Sequence, residues 1–176
     1  MPLDASPDGA TLVAAIPDAG CCGWINVSSD QLWALRGGKA ITLFDEFSRF
    51  GNQDYDVSFV VTAARLSPDL ARVAYTLVAD APPAGEAIRL SDSGKENPTE
   101  LAQIRQAMAT LPAVEIVRLD RATTTRVVIP HASLTGWLDA DRVLVVQDGT
   151  LAIFSAAGAK VRDTAVAASA STAWLR

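Results

Sequence analysis

"ARLSPDLARVAYTL" runs from residue 64 to residue 77, and "ASPDGATLVAA" occupies residues 5–15. Both stretches place Ser-Pro-Asp ahead of an alternating apolar run. In Ser6-Pro7-Asp8-Gly9 each residue suits its place in a four-residue turn. Ser opens the turn, Pro fixes φ at the second position, Asp tolerates the third and Gly closes it. Ser67-Pro68-Asp69-Leu70 departs only in its last residue, and Leu138-Asp139-Ala140-Asp141 is a looser third version. The runs that follow are "ATLVAAI" (10–16), "ARVAYTLVA" (71–79) and "RVLVVQ" (142–147). Val, Ile, Tyr and the two-residue alternation predict strands there.

A second pattern lies downstream of each turn. "QLWALRGGKAITLF" (31–44), "EIVRLDRATTTRVV" (115–128) and "TLAIFSAAGAKVRD" (150–163) each read as strand, short turn, strand. A third element precedes the later turns: "VSFVVTAARL" (57–66) and "HASLTGWL" (131–138), with "ASASTAWLR" (168–176) resembling the start of another. The recurring unit is therefore four strands, A to D, and a self-similar four-strand unit is the mark of a propeller blade. The fold class this predicts is all-β, a partial β-propeller of about three four-stranded blades with one inserted α-helix. The blades fall at about 5–45, 57–130 and 131–176, within a single domain.

The same residues carry a family resemblance. Ser6-Pro7-Asp8-Gly9, Leu66-Ser67-Pro68-Asp69 with Val73-Ala74-Tyr75, and the three C–D hairpins resemble blades of TolB-type propellers and of the propeller domains of prolyl-oligopeptidase-like enzymes. The resemblance covers most of the chain. It implies a binding or gating module, since the propeller of such an enzyme is its non-catalytic part.

Three blades are fewer than the roughly four to eight of a closed ring. The first blade shows only Met1 to Ala5 ahead of its turn, short of a full strand A, while Ala168 to Arg176 offers a spare one. Either the chain is part of a longer propeller, or two copies associate head to tail, each lending its last strand to the other. The expectation leans to a homodimer or other closed assembly.

Loop lengths are unequal. The A–B and C–D turns are short, while Pro17–Ser29, Asp45–Asp56 and Asp80–Ala113 are long. In an antiparallel meander all three long segments belong to one end of the strands. Long loops in a compact fold usually have a use. The last of them holds a helix over about 97–111: Asn97 as N-cap, Pro98 at the first position, Glu100 at the third, then Leu101, Ile104, Met108 and Leu111. That stripe either packs on the blade beneath it or docks a partner, and packing is the favoured reading. The expected partner-binding residues are Trp24, Asp45, Glu46, Arg49, Phe50, Tyr55, Glu86 and Lys95.

Composition narrows the partners. Of 176 residues, 49% are hydrophobic and 20% charged, and the net charge is −5 with no basic block. Nucleic acid and anionic membrane are poor matches for that balance, and no apolar run is long enough to cross a bilayer. The N-terminus shows no signal-peptide pattern. The compartment stays open: cytoplasmic or, for a fragment, periplasmic. Chemistry-bearing patterns are absent too. His131 is the sole histidine, and its neighbour Ser133 lies outside any Gly-x-Ser-x-Gly elbow. Cys21 and Cys22 are adjacent and match no zinc spacing. Asn52, Asp54 and Asp56, with Asp45 and Glu46, lack the order of a calcium loop. The sequence therefore predicts no catalytic residue, no metal and no cofactor. It predicts a non-catalytic module binding a protein or peptide through the loop-rich face. The alternative is a binder of small molecules or saccharides, or the non-catalytic propeller part of a hydrolase.

Overall fold

The computed structural model describes residues 2–16, 31–50, 55, 57–80, 88, 90, 96–120 and 126–167. Among these residues twelve strands form three four-stranded antiparallel sheets, each a simple meander. The first contains β1 (Pro2–Ala5), β2 (Thr11–Ile16), β3 (Gln31–Arg36) and β4 (Lys39–Asp45). The second contains β5 (Ser58–Leu66), β6 (Arg72–Asp80), β7 (Ala113–Arg118) and β8 (Arg126–Pro130), and the third β9 (Ala132–Asp139), β10 (Arg142–Gln147), β11 (Thr150–Ser155) and β12 (Lys160–Ala167). Helices α1 (Glu46–Phe50), after β4, and α2 (Pro98–Met108), before β7, sit in connections.

The Ser-Pro-Asp repeat is a repeat of atoms as well as letters. Ser6 Oγ donates to Asp8 Oδ1 at 2.6 Å and accepts from Thr11 N at 2.9 Å, while Ala10 N donates to Asp8 Oδ1 at 3.0 Å. Ser67 Oγ donates to Asp69 Oδ1 at 2.5 Å and accepts from Arg72 N at 2.9 Å, while Ala71 N donates to Asp69 Oδ1 at 3.1 Å. Gly9 takes φ 69° and Leu70 takes φ 56° in the same place. The Gly-to-Leu change thus keeps the turn by accepting a left-handed leucine, a conformation costing about 1–2 kcal/mol. Leu70 also packs against the core of the first two sheets.

Two expectations need correction. The third version is a different turn: Arg142 pairs directly with Asp139, leaving a two-residue connection that has no serine to build the wider loop. The first sheet is also complete within its own chain. Residues 2–5 pair with 12–14 as β1, because an edge strand of four residues suffices when β5 packs beside it. Arg65 Nη1 donates to Leu3 O, and Leu66 N donates to Asp4 Oδ2 at 2.7 Å.

The second sheet is the middle layer. Its β7 is buried at five of six positions, so neither face meets water. Alternate residues divide between two cores. Val73, Tyr75, Leu77 and Val117 join residues of the first sheet, while Ala74, Val114, Ile116 and Ile129 join Val143, Val145, Ala152 and Phe154 of the third. This is the strand period of two, applied to both faces at once.

The ends of the strands also align. Arg36 Nη1 reaches Leu70 O at 3.1 Å, linking the β3–β4 and β5–β6 turns. Arg72 Nη1 reaches Ala140 O at 2.9 Å, linking the β5–β6 and β9–β10 turns. Short turns of all three sheets thus share one end. The opposite end carries α1, α2 and the β8–β9 connection, where His131 N donates to Thr110 O and Ala132 N to Pro112 O.

Candidate functional site

The helix-bearing end is built around α1. Asp45 caps it: Ser48 N donates to Asp45 Oδ1 at 3.3 Å and Ser48 Oγ to Asp45 Oδ2 at 2.9 Å. This five-residue helix lies inside a stretch that the sequence reads as a long loop. Its apolar anchor is Phe50, stacked on Phe59 with ring centroids 3.9 Å apart and tilted against Phe44. Glu46 is buried and accepts the Phe59 amide at 2.7 Å.

Beneath α1 is a charged cluster inside the sheet stack. Arg49 grips Glu115 of β7 with both nitrogens, Nη2–Oε1 at 2.8 Å and Nη1–Oε2 at 3.0 Å. Tyr75 Oη donates to Glu115 Oε2 at 2.5 Å, and Arg126 Nε stands 3.8 Å from that oxygen. The Arg49 guanidinium also lies over the Phe50 ring, 5.0 Å from its centroid. Glu115 is only 2% exposed and Arg49 25%. Burial pushes the Tyr75 hydroxyl well above its ordinary range, and the Glu115 charge adds to the effect. Tyr75 therefore remains a protonated donor. The carboxylate is fully engaged, so the cluster is a brace that fixes α1 to the second sheet.

The second helix is tied to the same region. Asn97 caps it through Glu100 N at 3.3 Å, with Pro98 opening the helix. Tyr55 Oη donates to Asn97 O at 3.1 Å and accepts from Asn97 N at 2.9 Å. Ile104 is buried, and Leu101, Met108 and Leu111 pack against the core of the first two sheets. The apolar stripe thus faces inward, and Ala102, Gln103, Arg105 and Gln106 are exposed.

The eight residues expected at a binding face therefore separate. Asp45, Glu46, Arg49 and Phe50 come together in and around α1, and Tyr55 joins α2. Glu46, Phe50 and Tyr55 are buried, so they shape the surface from below without presenting themselves on it. Trp24, Glu86 and Lys95 lie outside the described residues, as do Cys21, Cys22, Asn52, Asp54 and Asp56. Among the described residues no group of three or more His, Cys, Asp or Glu could hold a metal ion. His131 is an exposed one-residue connection with φ 54°.

Sequence reasoning missed Glu115 and Tyr75. The signal was present in "AVEIVR": a lone carboxylate in an apolar strand is rarely buried unless paired. It also missed a cleft at the opposite, short-turn end. This cleft of about 290 Å³ lies between the second and third sheets, lined by Arg72, Ile116, Arg118, Val127, Asp141 and Ser155 with Ala156 and Ala157. Arg118 is held by Asp120 through two bonds of 2.9 and 2.8 Å, and Arg72 stands 3.6 Å from both Asp69 and Asp141.

The architecture and the site define an all-β chain of three stacked four-stranded sheets, elaborated at one end. No family model, curated protein or solved structure matches it.

Proposed function

We propose that this chain is a partial β-propeller, its three sheets arranged as blades, acting as a non-catalytic module that binds a protein or peptide at its helix-bearing end. One observation carries the reading. Both helices belong to a single end of the strands, and a buried Arg49–Glu115 pair holds one of them in place. A buried charge pair contributes little net stability, so its value lies in fixing a geometry. The surface beside it is polar: the outward face of α2 with Gln103, Arg105 and Gln106. A peptide ligand meets donors and a cation there. Selection from a random peptide library, followed by hydrogen exchange on the selected complex, tests the reading. Protection over residues 46–50 and 96–110 is expected. Protection centred on residues 6–11, 67–72 and 139–142 instead would overturn it.

A second reading has its own support. The cleft at the short-turn end sets Arg72 and Arg118, each beside an aspartate, over an apolar floor, so a small ligand bearing a carboxylate would compete with Asp141 and Asp120 for them. In the same exchange experiment, protection of residues 139–142 by small carboxylates and none at the helices would favour it.

A further inference from the structure

We infer that the outward faces of the first and third sheets are the two halves of one interface, and that a second copy of this chain occupies both. The inference rests on the blade-like stacking proposed above and adds what completes it. Aligning the strands that follow each turn brings Leu12, Val73 and Val143 into register, and likewise Val13, Ala74 and Leu144.

The first trio points back toward the preceding sheet. Val73 packs in the core shared with the first sheet and Val143 in the core shared with the second, and both are fully buried. The second trio points forward. Val13 packs toward the second sheet and Ala74 toward the third, again fully buried. Each chain therefore contains the same joint twice: the forward face of one sheet against the backward face of the next.

The two positions left over are Leu12 and Leu144. Leu12 heads the backward face of the first described sheet, and Leu144 the forward face of the third. Both are only half-buried, and both lie outside the two buried clusters. Their neighbours behave alike. Leu12 pairs with Leu35, and Ala14 with Trp33, giving an apolar row in which Leu35 is 43% exposed. Leu144 pairs with the buried Ile153, and Val146 with Leu151, the last two half-buried like Leu144 itself. Among the described residues, no member of either row belongs to a buried cluster shared with another sheet.

The faces are complementary by construction, since the chain mates this kind of face with that kind twice over. Two copies joined head to tail through both faces would make a six-sheet ring with a two-fold axis. That number sits within the roughly four to eight blades of closed propellers. A head-to-tail contact that fails to close would propagate as a fibre. The expected strand loan is unnecessary, because β1 already completes the first sheet.

The experiment is sedimentation equilibrium on the full chain at micromolar concentration, with small-angle scattering on the same sample. A species of twice 18.5 kDa with the profile of a flat closed disc is expected. Leu35→Glu and Leu144→Glu each place a charge in both joints of the ring, so either alone should weaken association at least tenfold while circular dichroism stays unchanged. Leu35→Glu combined with Leu144→Lys should recover at least part of that loss. A folded monomer for the unsubstituted chain, a dimer indifferent to both substitutions, or open polymers would each overturn the inference. Gln103→Glu and Arg105→Glu on α2 leave the mass unchanged, so failure of peptide binding and failure of ring closure are read separately.

Discussion

Between the first and second sheets lie Phe44, Phe50, Phe59 and Tyr75, and Arg49 and Glu115 pair among them. Between the second and third lie Ala74, Val114, Ile116, Ile129, Val143 and Val145, with Phe154 among them and the partly buried Trp137 packed alongside. The first joint is rich in aromatic rings and carries a charged pair, and both helices pack against it. Among the described residues the second is mainly aliphatic and holds no helix residue. The rings of the first joint seat Phe50 of α1, and the charged pair then specifies where α1 sits. At the second, the β11–β12 turn lies against Val127 of β8. The elaborated end of the molecule thus belongs to the joint that was built to carry it.

This contrast can be broken at either joint. The largest effect is expected from Phe59→Ala, which removes the ring stacked on Phe50 and leaves a cavity under α1. It should cost about 4 kcal/mol in urea unfolding. Next comes Glu115→Ala. It strands Arg49 and the Tyr75 hydroxyl, and because Arg49 is partly solvated the cost should be about 3 kcal/mol. Glu115→Gln should cost less, since the amide oxygen still accepts from Tyr75. A smaller loss for Glu115→Ala than for Glu115→Gln would refute the brace.

At the second joint the sensitive position is Gly158. Its φ is +84°, and an added Cβ would fall 2.6 Å from Val127 Cγ1. Gly158→Ala should cost about 2 kcal/mol from backbone strain and contact together, measured by thermal unfolding. Val127→Ala in the same chain should return part of that loss, because it removes the atom in the way. A full loss in the double variant would assign the cost to φ alone.

The smallest effects concern the two matched turns. Ser6→Ala and Ser67→Ala delete the same hydroxyl bonds and should each cost about 1 kcal/mol. The serine hydroxyl beside each carboxylate holds Asp8 and Asp69 below the ordinary value of 3.8. A lowered folded value means stability present above 3.8 and lost as the pH falls through the folded values. The unsubstituted protein should therefore lose more stability on acidification than the Ser6→Ala/Ser67→Ala double variant. Equal acid sensitivity of the two, followed by urea titration across the acid range, would remove the turns as a source of it.

Much of this was legible beforehand in particular residues. Ser-Pro-Asp marked the turns because the serine and aspartate side chains bond their own backbone, a local matter. Gly37-Gly38 marked the β3–β4 hairpin because both residues take positive φ, 56° and 72°. Asn97-Pro98 marked α2 because the cap and the fixed φ act within one turn of chain. Other features were not local. The chain from 45 to 50 reads as a polar loop, yet it forms a capped helix because Phe50 finds Phe59. Residues 2–5 read as too short for a strand, yet they form one because β5 packs beside them. Glu46 and Tyr55 read as surface residues, yet their partners, Phe59 and Asn97, bury them.

By itself, then, the chain's order of residues settled the two Ser-Pro-Asp turns and most strands of a recurring four-strand unit, but neither the form of the third turn nor the short first strand. Those depend on alternation and on hydrogen bonds that span a few positions. The tertiary structure alone decided which sheet lies in the middle, where α1 seats, and that Glu115 is a buried brace. Each of those outcomes requires side chains tens of residues apart to meet, and contacts of that kind leave no periodic trace in the sequence.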